Sequence, residues 1–287
     1  MTSGAPRRSR AVRSLRPLWL ILAFYIDFFI ILAVLELVAG LVVGRQVLAA
    51  PGITLPWLLL ASAAAAHWTM LHVDKQSWSF VGLGRSAATA HKVLAAALLG
   101  GLTIGGACLV LLGTHLLRIE ATAPGSWWTA AGRSVAMLLP AAFAEELLLR
   151  GFVFAVLRRA GGWRLALIVT SVVFGLLHAW NPGADAESIL AVIVAGFFLG
   201  AILLATGSLY AAGAAHFAWN WVMAAALHIP VSGIASTDPD YRTVETGPDW
   251  LTGGPWGPEG GLAAVAAMFV AIFYLYGRYL RRMELKG

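Results

Sequence analysis

The sequence predicts an all-α, polytopic membrane protein of about eight transmembrane helices, and three observations carry that prediction. Hydrophobic residues make up 60% of the 287 and charged residues only 12%, where a soluble domain carries roughly 25% charged residues. The mean hydropathy is +0.79. The apolar residues are gathered into eight stretches with short connections, which excludes an ordinary soluble globular protein. At roughly 20 residues per crossing there is room for about eight or nine helices and none for a separate soluble domain, so 18–282 reads as one transmembrane domain.

A basic tail, 1–17, holds Arg7, Arg8, Arg10, Arg13 and Arg16. The stretch from about 18 to 43 is too long for a signal-peptide h-region and reads as a retained signal-anchor helix. Further stretches lie at 56–73, 93–117, 134–157, 165–180, 188–206, 209–229 and 261–282, followed by a short tail, 283–287. Eight crossings put both termini on one side. Fifteen of the 20 Lys and Arg fall there, among them Lys75, Arg85, Lys92, Arg158, Arg159, Arg164, Arg278 and Lys286, with Arg45, Arg118 and Arg242 opposite. By the positive-inside rule the expected location is the cell membrane with both termini and both tails cytoplasmic. The net charge of +6 is thereby an orientation signal, and no nucleic-acid partner is expected. The single cysteine, Cys108, excludes an intrachain disulfide and a thiolate metal cluster. Residues 78–84 suit either an interfacial stretch or an ordinary loop with aromatic anchors. The long connection 230–260, with Asp238, Asp240, Glu245, Asp249 and Glu259 among Gly and Pro, is expected to be acidic, irregular and on the outer side.

Ionisable groups at membrane depth cost roughly 2.5–3.5 kcal/mol each, so those present need a partner or a task. The densest group is Glu145-Glu146-x-x-x-Arg150, with Pro140 just over a turn upstream to kink the helix. Adjacent carboxylates point about 100° apart around a helix, so Glu145 and Glu146 serve different purposes. Glu146 and Arg150 are spaced i,i+4 in the order that favours an ion pair, which leaves Glu145 unpaired by its own helix. Phe174-x-x-x-His178 follows on the fifth stretch and His216-x-x-x-Asn220 on the seventh, the last pair again sharing a face. Counting about 1.5 Å per residue from Arg158, Arg164 and Gly207 puts Glu145, His178 and Asn220 each ~20 Å deep, with His216 a turn shallower.

A carboxylate, two imidazoles and an amide at one depth can hydrolyse a peptide bond with water. Glu145 is placed as general base, and His178 as the group that orients the water or binds a metal that acidifies it. His216 and Asn220 are placed to hydrogen-bond the developing oxyanion, and Glu146 with Arg150 as the supporting pair.

These three motifs, in this order on separate helices, resemble those of the CPBP intramembrane proteases, also called the CAAX-protease and bacteriocin-processing or Abi family. The matching stretch is about 140–223. The resemblance implies an eight-helix membrane core and peptide-bond cleavage at or in the membrane. It implies Glu145 and His178 as the water-activating pair, with His216 and Asn220 on the oxyanion. The family is often called a metalloprotease, while a metal-free glutamate mechanism has been proposed for its prenyl-protein-processing members. Both stay open in the sequence: Glu145, His178 and His216 can ligate zinc or another divalent metal with an open position, and no H-E-x-x-H is present.

Taken singly, Glu145, His178 or His216 is an ordinary helix-packing partner, and Glu146–Arg150 reads as a structural ion pair even in an enzyme. Agreement in depth, spacing and order favours a site. His67 and His72, about 140° apart on their helix, read as an interhelical hydrogen-bond partner and an interfacial residue. Asp27 and Glu36 are charged at membrane depth with no motif to explain them. Gly196-x-x-x-Gly200 reads as internal helix packing. Phe217, Trp219 and Trp221 suit a substrate groove or a lipid-facing surface equally. The expected function is an intramembrane endopeptidase acting on a membrane-associated protein or peptide, with membrane lipid as its surroundings. The alternatives are a catalytically silent scaffold or immunity protein, and a proton- or cation-coupled transporter, against which the lack of an internal repeat argues.

Overall fold

In a bilayer every backbone N–H and C=O must be satisfied within its own segment, so the apolar stretches become helices. The computed structural model describes residues 10–42, 44, 52–122, 124–235 and 241–284. Arg7, Arg8, Arg45, Asp238, Asp240 and Lys286 lie outside the described residues, as do the side chains of Arg10, Arg13, Arg281 and Arg282. The long helices are α1 (Arg10–Val42), α2 (Thr54–Val73), α3 (Ala90–Gly113), α4 (Trp127–Arg150), α5 (Phe152–Leu177), α6 (Ala186–Thr206), α7 (Leu209–Trp221) and α8 (Leu262–Glu284). Five stretches, 15–42, 90–113, 127–180, 186–206 and 262–279, are long and apolar enough to cross a membrane, the third holding both α4 and α5. This is a polytopic helical membrane protein. Helix α1 starts at Arg10, inside the stretch expected to be a basic tail. It is peripheral: Trp19, Leu22, Ile26 and Phe29 face outward while Phe24 and Phe28 are buried.

The fourth apolar stretch does not run unbroken to 157. Its helix ends at Arg150, and Gly151 adopts a non-helical conformation (φ −81°, ψ −115°) before α5 begins. The cause lies on α2. His67 donates Nδ1–H to Ala63 O (2.7 Å), which leaves its Nε2 lone pair to accept the Phe152 N–H at 3.0 Å. That side chain thus caps the new helix from another element. A Cβ on residue 151 would lie 2.1 Å from His67 Nε2, so only glycine allows the approach. A second kink, at Gly162 (φ +85°), falls within the connection expected between Arg158 and Arg164. Residues 152–157 between the two breaks are wholly buried, and this is why their apolar pattern reads as more transmembrane helix. His67→Phe keeps a ring but removes the acceptor, and is expected to cost about 1–3 kcal/mol. The measurement is the unfolding midpoint in detergent; an unchanged midpoint would give the Phe152 N–H another partner.

Helix α7 is the centre of the bundle, packed on α3, α4 and α6. Small residues allow this: a Cβ on Gly100 of α3 would stand 2.2 Å from Ala215 O, and one on Gly213 would meet the Phe143 ring. Gly196 and Gly200 play the same part between α6 and α5, against Ser171 and Leu167, so the G-x-x-x-G packs internally. Ser208 caps α7 through Ala211 N and donates to Ala87 O at 2.6 Å. Leu209 N donates to Gly82 O and Tyr210 to Leu83 O. Residues 78–84 therefore hold the α6–α7 turn, beyond either role expected of them. At the same end of the molecule as the Arg159 side chain, the Asp74 carboxylate is shared by Arg16 (2.8 Å) and Arg159 (2.6 Å), which joins the ends of α1, α2 and α5.

The connection 230–260 is more ordered than expected. After α7 the chain makes one π-helical run, Val222–Leu227. Its last carbonyls are taken by Trp127 Nε1, Tyr241 and Thr243. Strand β2 (Tyr241–Glu245) pairs antiparallel with β1 (Leu117–Ala121), Leu117 opposite Glu245 and Ala121 opposite Tyr241. A one-turn helix at Asp249–Thr252 and 3₁₀ turns at Gly254–Trp256 and Pro258–Gly260 then lead into α8. This pairing joins segments far apart in sequence, for which local patterning carries no signal.

Candidate active site

Helices α4, α5 and α7 bring the three motifs together. Arg150 donates from Nη1 to Glu146 Oε1 at 3.0 Å, with both side chains fully buried. Its Nη2 donates to Gly196 O of α6 at 3.3 Å, and its guanidinium lies 4.1 Å from the centre of the Phe174 ring on α5. One buried cation therefore holds three helices. Glu146 Oε1 also accepts from His216 Nδ1 on α7 at 3.1 Å, which sets the orientation of that ring. Phe174 packs edge-on to His216, with centroids 5.8 Å apart.

His178 follows directly on α5, in a 3₁₀ turn. Its Nδ1–H is donated to Phe174 O at 2.8 Å, because a carbonyl only accepts. The Nε2 lone pair is left as its free acceptor. His178, His216 and Asn220 line one cavity, with Phe174, Trp219, Ser232 and Glu259. Its volume is about 30 Å³, room for a water or two. Glu145 approaches the site at His216, its Oε2 standing 3.9 Å from His216 Nε2. That oxygen is buried and has no hydrogen-bond partner among the described residues, although the side chain as a whole is 40% exposed. The four expected site residues thus form one constellation, in which the ion pair of Glu146 and Arg150 supports His216.

Residues 126–222, which contain all three motifs, match the family model described as Rce1-like, type II CAAX prenyl endopeptidase. The match covers about a third of the chain, and over that segment the sequence is similar to the CAAX-type intramembrane proteases. No curated protein and no solved structure gives a significant match. The matched segment holds α4 to α7 and so every residue named in the three motifs, while α1 to α3 and α8 lie outside it.

Among the described residues no group of three or more His, Cys, Asp or Glu is placed to hold one metal ion. Nδ1 of His178 and Nδ1 of His216 are both engaged by protein oxygens. The Nε2 atom of each ring is the one turned to neither of these oxygens.

Of the residues that the sequence left undecided, Trp219 is buried and lines the cavity, while Phe217 and Trp221 are half-buried beside it. Asp27 is half-buried with Oδ2 unpartnered among the described residues, and Glu36 is exposed on α1. Two polar cavity residues were missed, Ser232 and Glu259. Both belong to the connection read as an outer acidic loop, where a carboxylate flanked by Pro258 and Gly260 carries the signature of a solvated turn.

Proposed function

We propose that the protein is an intramembrane endopeptidase of the CAAX type, cleaving a membrane-associated protein or peptide with water activated by Glu145 and His178. The observation that carries this reading is the meeting of His178, His216 and Asn220 around one water-sized cavity, with Glu145 against His216. In the reaction a water held by His178 Nε2 attacks the scissile carbonyl carbon while Glu145 takes its proton. The carbonyl electrons move onto oxygen, where Asn220 Nδ2–H and, in its cationic form, His216 Nε2–H stabilise the charge. Collapse of the intermediate breaks the C–N bond, and Glu145 returns the proton to the leaving amine. Glu146, fixed by Arg150, keeps His216 aimed. The charge pattern supports an enzyme with both termini in the cytoplasm.

Comparative terminal proteomics of cells carrying wild type or Glu145→Gln, at equal membrane levels, tests the reading. New termini that depend on Glu145 are expected and identify the substrate; identical sets of termini would sink it. The chemistry as proposed needs no metal. Activity is expected to survive exhaustive chelation, with less than stoichiometric metal in the purified protein, and activity restored only by added zinc would give His178 a ligand's role.

A further inference from the structure

We infer that Glu259 is a positioning residue for this reaction, clamping the two sides of the cavity at a fixed separation; the inference rests on the protease reading above. Glu259 is buried, with 7% of its surface exposed, and both oxygens are taken. Oε2 accepts from Trp219 Nε1 at 2.8 Å. Oε1 accepts from Ser232 N at 2.6 Å and from Ser232 Oγ at 2.8 Å. Three donors on one carboxylate fix its geometry.

What each donor belongs to gives the clamp its meaning. Trp219 stands on α7 between His216 and Asn220, so pinning its indole pins the face that carries the oxyanion donors. Ser232 O accepts from Asn181 Nδ2 at 3.1 Å, and Asn181 ends the 3₁₀ turn that begins with His178. A continuous chain therefore runs from the His178 turn through Asn181, Ser232 and Glu259 to Trp219. It joins the turn of the water-holding histidine to the helix that carries the oxyanion donors. Ser232 also has a positive φ of 49°, a strained conformation for a residue with a Cβ. Such a residue persists where its surroundings over-determine it, and Glu259 engages both its backbone and its side chain. Neither Asn181 nor Ser232 nor Glu259 belongs to the three motifs.

The experiment compares wild type, Glu259→Gln, Trp219→Phe, the double variant, Glu145→Gln and Glu120→Gln. The last removes an exposed ion pair with Arg242 and serves as a control. The probe is a synthetic peptide spanning the strongest Glu145-dependent cleavage site found in cells, assayed in proteoliposomes. The Gln amide keeps the shape of Glu259 but turns a donor against Trp219 or Ser232. Expected is a fall in kcat of about 10- to 100-fold for Glu259→Gln, the scale of a small misplacement of reacting groups. KM and the unfolding midpoint are expected to stay near wild type, and the double variant to be no slower than the slower single one. The indole N–H resonance that Trp219→Phe removes is expected to shift upfield in Glu259→Gln. Unchanged kcat in Glu259→Gln beside an inactive Glu145→Gln overturns the clamp alone, as does a loss matched by loss of folded protein. Full activity in Glu145→Gln, or no Glu145-dependent termini at all, overturns the protease reading and the clamp with it.

Discussion

Glu145→Gln is expected to lower turnover by about 10²–10⁴-fold, the contribution of a positioned general base, while the protein inserts and unfolds as wild type does. Both halves follow from where the carboxylate stands. Its Oε2 has no hydrogen-bond partner among the described residues and lies 3.9 Å from His216 Nε2, beyond a direct hydrogen bond. Removing its charge therefore breaks no bond that holds helices together. The same charge is what accepts the water proton, and an amide cannot do so. Single-turnover cleavage in proteoliposomes, with the unfolding midpoint of the same preparation, separates the two effects. A variant that folds normally and cleaves at the wild-type rate would remove Glu145 from the chemistry. His178→Ala is expected to lose activity similarly.

Arg150→Met carries the other large effect, on stability. Deleting the cation leaves the Glu146 carboxylate fully buried against the His216 ring alone, and breaking a buried pair from one side costs about 3–5 kcal/mol. A native protein holds only about 5–15 kcal/mol in total, so the variant is expected to accumulate poorly and to unfold at much lower denaturant. The loss extends beyond the pair, because the same guanidinium reaches Gly196 O on α6 and the Phe174 ring on α5. Adding Glu146→Gln removes the stranded charge, and the double variant is expected to regain part of the stability while His216 stays misaimed and turnover stays low. Unfolding curves for the two single variants and the double give the coupling. Wild-type stability in Arg150→Met would mean that the pair does not hold the helices together.

The parts legible in the sequence are those that one helix sets by itself. Spacing of i,i+4 put Glu146 with Arg150 and His216 with Asn220, and both pairs share a face in the structure. Rise per residue brought Glu145, His178 and Asn220 to one depth before any helix was placed. The helix break at Gly151 was not legible, because a glycine inside an apolar run is compatible with unbroken helix and its cause, His67, lies on α2. Nor was the choice among Phe217, Trp219 and Trp221, since the helix repeat alone does not say which neighbour each side will meet.

Hydropathy and periodicity are properties of single segments in a bilayer, and by themselves they marked the apolar stretches that become the long helices and the motif residues that meet at the candidate site. Which group meets which was decided only by how the helices cross. Small residues let α7 sink between α3 and α4, and this packing puts His216 in hydrogen-bond contact with Glu146 while Glu145 stands at 3.9 Å. It also folds a connection that resembles a solvated loop back over the cavity, where three donors satisfy the buried carboxylate of Glu259. A buried charge needs such partners wherever in the chain they come from, and their arrival from Trp219 and Ser232 is a property of the tertiary structure alone.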